Sequence, residues 1–558
     1  MIVPTATEEN MRRARMAHGT PTDQAAQPYA SIAELVAAHA RAAPDAPFLT
    51  YHDDERGETE QFSYATLHAR ANQVANYLVR HAGVRRGERV ATLAFNHPDT
   101  VLIYLACWKI GATVAPQNSS EDDARISFIL AHAAVRLVLA RPEYLARAHA
   151  ICATVPCVQQ IIALDADLVA QFDTEPTDFA PAVPPTGDDE ALLVYTSGTT
   201  GAPKGVQLTH ENLLVDARGI AAWHLIDRAT RLMGILPMHH VNGIVVTLIT
   251  PLYAGASVVL NRAFKASTFW QRVAAERVQI VSVVPTILQF LCEAGTDVSG
   301  YDLSHFRYCI CGAGTLAISL AQRFERQFGT RVLHGYGLSE TTCYSCFLPV
   351  DLSDAEHAAW IGDHGYPSIG CPIAPNEMAI HDADGRTLPD GTRGEIVIRG
   401  QNVMIGYFKR PDANAEAFAH GWFRSGDEGF CLHDEHGRPF FFISGRLKEL
   451  INRGGVKYSP FEIEEVLLHV PGVRAGLAIG FDNAWYGEEV GAYIVREPGG
   501  AVTEAQVLAW CRARMPFAKA PKVVVFGEEI PVTATGKYQR LQLKPRFTQW
   551  AEEQFREH

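Results

Sequence analysis

Short apolar runs alternate with amphipathic stretches of helical length over the first two thirds of the chain. Residues 89–95 read as a buried strand, the stretch opened by Pro98 and closed by Gly111 as a helix, and residues 113–116 as the next strand. Proline just inside a helix start and glycine just past its end are the punctuation such a unit needs. Strand, helix, strand in that order implies a parallel sheet covered by helices. The short apolar strand recurs at 279–284, 307–311 and 331–334.

Beyond about Gly370 the texture changes. Asp384-Gly385, Asp390-Gly391 and Glu435-His436-Gly437 punctuate the β-rich stretches 395–399 and 440–443, the pattern of a compact β subdomain. Asp382-Ala383-Asp384-Gly385 has the opening of a calcium loop but lacks its closing Glu, so a hairpin turn is expected. Further on, Ser459-Pro460-Phe461-Glu462 has capping-box spacing with proline at the first helical position. A helix should start there and stop before Pro471-Gly472, with 473–479 a strand. The expected fold class is α/β. A large N-terminal domain of parallel sheets with helices plus a β subdomain spans 29–445, and a small α+β C-terminal domain spans 446–558. Residues 1–28 are expected to be a flexible tail.

A chain of 558 residues is too long for one ordinary core. With 47% apolar and 20% charged residues it reads as globular. The net charge of -13 argues against a nucleic-acid binder, which needs a basic excess to neutralise phosphates. Eleven scattered cysteines fit a reducing compartment, and Cys343-Tyr344-Ser345-Cys346 reads as two small buried thiols on a helix start. The polar N-terminus has no apolar signal region, and no apolar run reaches the roughly 20 residues of a spanning helix. A cytoplasmic protein is expected.

Residues 192–195 form another buried-strand pattern, followed by Thr196-Ser197-Gly198-Thr199-Thr200-Gly201-Ala202-Pro203-Lys204-Gly205. The glycines let backbone N–H groups approach a ligand, four hydroxyls add donors and Lys204 adds charge, which together cradle an oligophosphate. A flexible linker would rarely sit between a buried strand and the amphipathic helix expected near Thr209. The order Lys204 before Gly205 excludes a Walker A loop.

The string YTSGTTGAPKG resembles the signature of the adenylate-forming superfamily, which includes acyl- and aryl-CoA ligases, amino-acid adenylation domains and firefly-type luciferases. The resemblance runs from about Ser31 to Arg540. It is strongest to stand-alone acyl- or aryl-CoA ligases, and it implies activation of a carboxylic acid by ATP and Mg²⁺, then thioester formation with CoA. Under it, Thr196, Ser197, Gly198, Thr199, Thr200, Gly201 and Lys204 hold phosphate. Tyr336-Gly337-Leu338-Ser339-Glu340 resembles the family's Y-G-x-T-E element. Tyr336 and Gly337 then meet adenine, Ser339 the α-phosphate, and Glu340 with Thr200 the metal. Gly312-Ala313-Gly314 follows a strand like a dinucleotide fingerprint, yet no acidic residue ends the next strand, so the resemblance makes it an adenine-facing wall. Asp427 of Trp422-Phe423-Arg424-Ser425-Gly426-Asp427 matches the ribose-binding position; without the family it reads as a charged turn.

Further along, Arg446 matches a ribose and phosphate contact, Lys448 the hinge of a mobile C-terminal domain, and Gly454-Gly455 the passage for a pantetheine arm. Lys537, in Pro531-Val532-Thr533-Ala534-Thr535-Gly536-Lys537, matches the catalytic lysine, and the catalytic set is Lys537, Glu340 and His240. His240 belongs to the acyl-pocket element 236–243, whose walls are Val241, Asn242, Gly243, Val284, Gly312, Tyr336 and Cys343. No Asp stands there to hold a substrate ammonium, which favours a plain acyl or aryl acid over an amino acid. With no carrier domain after Lys537, CoA is the expected acceptor; a separate acyl carrier protein with its phosphopantetheine is the alternative. A non-catalytic protein on this fold would be expected to have lost Lys537, Glu340 or the hydroxyl-rich loop, and all three are present.

Overall fold

The structure, a computed structural model, describes residues 5–21, 27–196, 203–532 and 538–556. Among them, the strands Arg89–Leu93, Thr113–Gln117, Leu137–Ala140 and Gln160–Ala163 are parallel, and the helix Pro98–Ile110 joins the first two. Proline occupies its first turn and Gly111 ends it in the left-handed region at φ 81°, as the sequence punctuation requires. The sheet is completed by Glu190–Thr196, Lys204–Thr209 and Gly406–Tyr407. The phosphate-loop segment is therefore not a direct strand-to-helix link. Lys204–Thr209 is a second strand, antiparallel to Glu190–Thr196, and the helix His210–Trp223 follows it.

A second sheet carries thirteen strands among the described residues. Its parallel part includes Arg231–Gly234, Ile280–Val283, Tyr308–Cys311 and Arg331–Tyr336. The expected β subdomain is not a separate sheet. The short strand Cys346–Phe347 pairs with Arg331–Tyr336 on one side and with Ser368–Pro372 on the other. The antiparallel strands Pro439–Arg446, Phe423–His433, Gly394–Gly400 and Asn376–His381 continue from there. Asp384-Gly385 makes the expected turn, with Asp382 Oδ1 accepting from the Asp384 and Arg386 amides.

The C-terminal part folds around Val473–Asn483 and Gly487–Arg496, with Ile451–Arg453, Val456–Tyr458 and Val523–Gly527 on the same sheet. Its helix Pro460–Leu468 starts where the sequence placed it, but the capping box does not form. The Ser459 hydroxyl donates instead to the Ser444 carbonyl, and Glu462 is drawn to Tyr366, Arg393 and Lys519. Tertiary partners outcompete a local cap when they are closer and charged.

Residues 5–21, within the tail expected to be flexible over 1–28, are structured; 1–4 and 22–26 lie outside the described residues. Thr5 and Glu8 form a capping box that starts the helix Ala6–Ala14. That helix packs against the turn Ala419–Gly421 and the strand Gly394–Gly400, and the His18 amide donates to Glu377. All eleven cysteines are free thiols. Cys343 and Cys346 are buried as expected, but they lie on a turn and a strand rather than a helix start. No helix among the described residues is long and apolar enough to cross a membrane.

Candidate active site

Strand pairing brings the first two motifs together through a residue the sequence reading missed. Lys204 opens its strand opposite Thr196, and its Nζ lies 4.5 Å from the centre of the Tyr407 ring. Tyr407 is held on the same sheet, since its neighbour in register is Val206. The Tyr407 hydroxyl donates to Glu340 Oε1 at 2.8 Å. Glu340, only 8% exposed, sits in the tight turn Ser339–Thr341. Burial and the Glu340 charge hold the Tyr407 phenol protonated, so it stays a donor. Ser197, Gly198, Thr199, Thr200 and Gly201 lie outside the described residues, as does Lys537.

Three strands converge on Asp427. Tyr336 ends the strand Arg331–Tyr336, Asp427 lies within Phe423–His433, and Arg446 ends Pro439–Arg446 directly opposite Asp427 in register. The Tyr336 hydroxyl donates to Asp427 Oδ2 at 2.6 Å, and Arg446 Nε lies 3.4 Å from Oδ1. Asp427 is thus in a strand and not in the charged turn that its sequence alone suggests. Tyr336 was expected to offer its aromatic face; in the structure its hydroxyl orients the carboxylate. Gly337 and Gly312 are demanded by close packing. A Cβ on Gly337 would stand 2.0 Å from the Cys343 carbonyl, and one on Gly312 would stand 2.4 Å from the Tyr344 hydroxyl. Between Gly312 and Gly314, Ala313 adopts φ 62°, a strained conformation for a residue with a side chain.

At the other end of this region, Val241 precedes a π-helical turn, Asn242–Ile249, the kind of helix irregularity that often marks a functional site. Asn242 donates to the Tyr344 hydroxyl at 3.2 Å and accepts from Ser282 Oγ at 2.8 Å. Gly243 packs where a Cβ would be 2.3 Å from the Pro237 carbonyl. The rings of His239 and His240 are 4.3 Å apart, and burial pushes the His239 ring down to about 4, so it is neutral at pH 7. Burial and the Asp216 carboxyl push the Cys343 thiol well above its usual range, so it stays protonated. Val284 precedes the helix Pro285–Ala294. Ser282 and Tyr344 were not singled out from the sequence; the thiols flanking Tyr344 drew the reading there instead.

In the C-terminal part, Gly454 and Gly455 form the turn of the hairpin Ile451–Arg453 and Val456–Tyr458, at φ 60° and 87°. Such values at both turn positions are what a two-residue hairpin needs and glycine supplies. Lys448 is exposed, with Nζ 4.0 Å from Glu416. Val532 and Tyr538, on either side of the segment carrying Lys537, make an isolated antiparallel bridge. Arg540 anchors the end of that segment to Glu464 and Glu449.

The model of the AMP-binding enzyme family matches residues 36–408, and that of the AMP-binding enzyme C-terminal domain matches 462–537. The chain belongs to the AMP-binding enzyme family. It is 35% identical to a sulfoacetate–CoA ligase of Cupriavidus necator, over 92% of this chain and 97% of that protein. An oxalate–CoA ligase of Arabidopsis thaliana is 34% identical over 86% and 92%. ATP-bound MatB from Rhodopseudomonas palustris superposes with a TM-score of 0.82 at 27% identity, covering 93% of this chain and all of that one. The expected ATP-dependent, AMP-forming acid–thiol ligase and its α/β fold are therefore borne out. An o-succinylbenzoate CoA synthetase of Bacillus subtilis, solved with ATP and magnesium ion, superposes at a TM-score of 0.78 and 27% identity. The metal that this implies fits the residues present: Glu340 is a hard oxygen donor whose Oε1 accepts from the Tyr407 hydroxyl.

Proposed function

We propose that this AMP-forming ligase activates a short, polar carboxylic acid and transfers it to CoA. The observation that carries the acid is the floor beneath Gly312. The Tyr344 hydroxyl stands where any side chain on Gly312 would go, and Tyr344 is itself 1% exposed. Its hydroxyl and Ser282 Oγ both engage Asn242. If Val241, Gly243, Val284 and Cys343 wall the acid pocket, the buried Asn242, Ser282 and Tyr344 hydrogen bonds next to Gly312 would give it a polar end, which suits a short acid with a second polar group. The names of the relatives, a sulfoacetate and an oxalate ligase, support the same class.

Both reactants of the first step are anions, so preorganised cations and donors lower its barrier. Lys204 and the hydroxyl-rich loop would hold the pyrophosphate end of ATP, Asp427 the ribose, and Arg446 the ribose and phosphate. Mg²⁺ held by Glu340 and Thr200 would neutralise phosphate charge. Lys537 would bring its ammonium to the carboxylate and α-phosphate oxygens, and His240 would line the acid's path. For the thioester step, rotation about Lys448 would withdraw Lys537 and present Gly454-Gly455 to the thiol. ATP–pyrophosphate exchange over acids of graded length and polarity tests the acid. Exchange should be strongest with oxalate- or sulfoacetate-sized acids, and a preference for long-chain fatty acids would overturn the reading. Thioester formation with CoA alone is expected; a requirement for added carrier protein would favour the carrier-loading alternative.

A further inference from the structure

The parallel strands of the first sheet end on a cavity that the adenylation chemistry does not use. Strand order runs Thr113–Gln117, Arg89–Leu93, Leu137–Ala140, Gln160–Ala163. From Arg89–Leu93 the chain steps to one side, then returns past it to build the other. The point between Arg89–Leu93 and Leu137–Ala140 is a topological switch, where open α/β sheets form a crevice beyond the carboxyl ends of their strands. A cavity of about 400 Å³ lies there, within the range that holds small metabolites.

Three helices start at its lining. Their N-caps are His97, Arg141 and Asp165 for Pro98–Ile110, Pro142–Cys152 and Ala166–Asp173. The helix Pro142–Cys152 has no side-chain cap; its first residue is a proline without an amide N–H, and the Tyr144 amide donates to the Arg141 carbonyl at 2.8 Å. The independent observation is Arg141. It is 6% exposed and lines the cavity; one of its terminal nitrogens donates to Asp99 at 2.8 Å, but its Nε has no hydrogen-bond partner among the described residues.

The remaining charges are largely spent on one another. Arg70 pairs with Asp173, Arg56 with Glu143, and Asp165 caps its own helix through the Leu168 amide. Glu60, pushed up by burial, is the acid left over. What is unfilled is donor capacity: the Arg141 Nε–H, beside a helix start with no side-chain cap. Buried donors of this kind call for an oxygen-rich acceptor, and helix starts favour an anion.

We propose that this cavity is a second ligand site, separate from the adenylation site, for a compact metabolite carrying a phosphate or carboxylate group. Asn96, next to His97, holds the Leu236 carbonyl and the Met238 amide, so the site adjoins the loop leading to His239 and His240.

Calorimetric titration of the full chain is run in saturating AMP, and the difference between the wild type and a variant with the cavity filled separates the new site from the pyrophosphate and acid ends of the adenylation site, which AMP leaves open. Inorganic phosphate is the probe in one arm and succinate in the other. Saturable binding of either at one equivalent is expected, and which arm binds identifies the anionic group. Ala170→Trp, which fills the cavity from the helix Ala166–Asp173, and Arg141→Gln should each weaken it by about tenfold or more. The Ala170→Trp enzyme should keep its pyrophosphate-exchange rate and melting temperature. If neither anion binds saturably, or if Ala170→Trp leaves binding unchanged, the site does not exist.

Discussion

Tyr336→Phe isolates the contact that joins three strands at the nucleotide end of the site. The substitution keeps the ring and removes one hydroxyl, which donates to Asp427 Oδ2 at 2.6 Å. Both residues are less than a tenth exposed, so the lost bond is not replaced by bulk water. A hydrogen bond to a charged group contributes about 1.5–3 kcal/mol, or about 10- to 150-fold in an equilibrium constant. Arg446 remains 3.4 Å from the other carboxylate oxygen and still restrains Asp427, which places the expected effect near the lower end. In ATP–pyrophosphate exchange at varied ATP, KM for ATP should rise roughly tenfold while kcat changes by less than about twofold, the signature of lost uniform binding. Asp427→Asn should couple to it in a double-mutant cycle. An unchanged KM, or a coupling energy near zero, would refute the argument that the hydroxyl positions Asp427 for ribose.

Lys537→Ala should abolish adenylate formation yet spare thioester formation from supplied acyl-adenylate, whereas Lys448→Pro should do the reverse; equal loss of both half-reactions in Lys448→Pro would remove the hinge. Arg540→Ala leaves the Glu464 carboxylate buried without its bidentate partner, and should cost about 3–5 kcal/mol in denaturant unfolding of the C-terminal part. A loss under about 1 kcal/mol would mean that Glu464 is resolvated. Burial raises the Asp216 carboxyl well above the usual range, and its Oδ2 has no partner among the described residues. The native state then holds a proton that the unfolded state releases, so stability conferred below the ordinary carboxylate pKa is lost as pH rises through the raised one. Asp216→Asn should therefore raise the melting temperature more at pH 8 than at pH 5, and the opposite ordering would show that Asp216 is native as a carboxylate.

Local punctuation was legible because its physics is local. Pro98 and Gly111 set their helix within one turn at either end, and the strands at 279–284, 307–311 and 331–334 follow from short apolar runs. The helix Ala6–Ala14 was legible too, since Thr5 and Glu8 have capping-box spacing; the polar composition around them masked it. Ser459 shows the limit of such signals. Its spacing to Glu462 is that of a cap, but the Ser444 carbonyl, on a neighbouring strand, takes its hydroxyl. The strand Cys346–Phe347 is two residues long, too short to carry a pattern, and yet it welds the parallel and antiparallel parts into one sheet.

The sequence by itself determined the reaction. The hydroxyl-rich loop, Tyr336 to Glu340, Asp427 and Lys537 carry the resemblance to the adenylate-forming family, and through it the phosphate, metal, ribose and carboxylate roles proposed for them. Only the tertiary structure decided how those groups are held. Tyr407 is 67 positions from the Glu340 it steers, Tyr336 is 91 from Asp427, and Asn242 is 102 from Tyr344. Contacts across such separations depend on strand order and register, which no local pattern encodes, because a hydroxyl meets its carboxylate only after the sheets have closed.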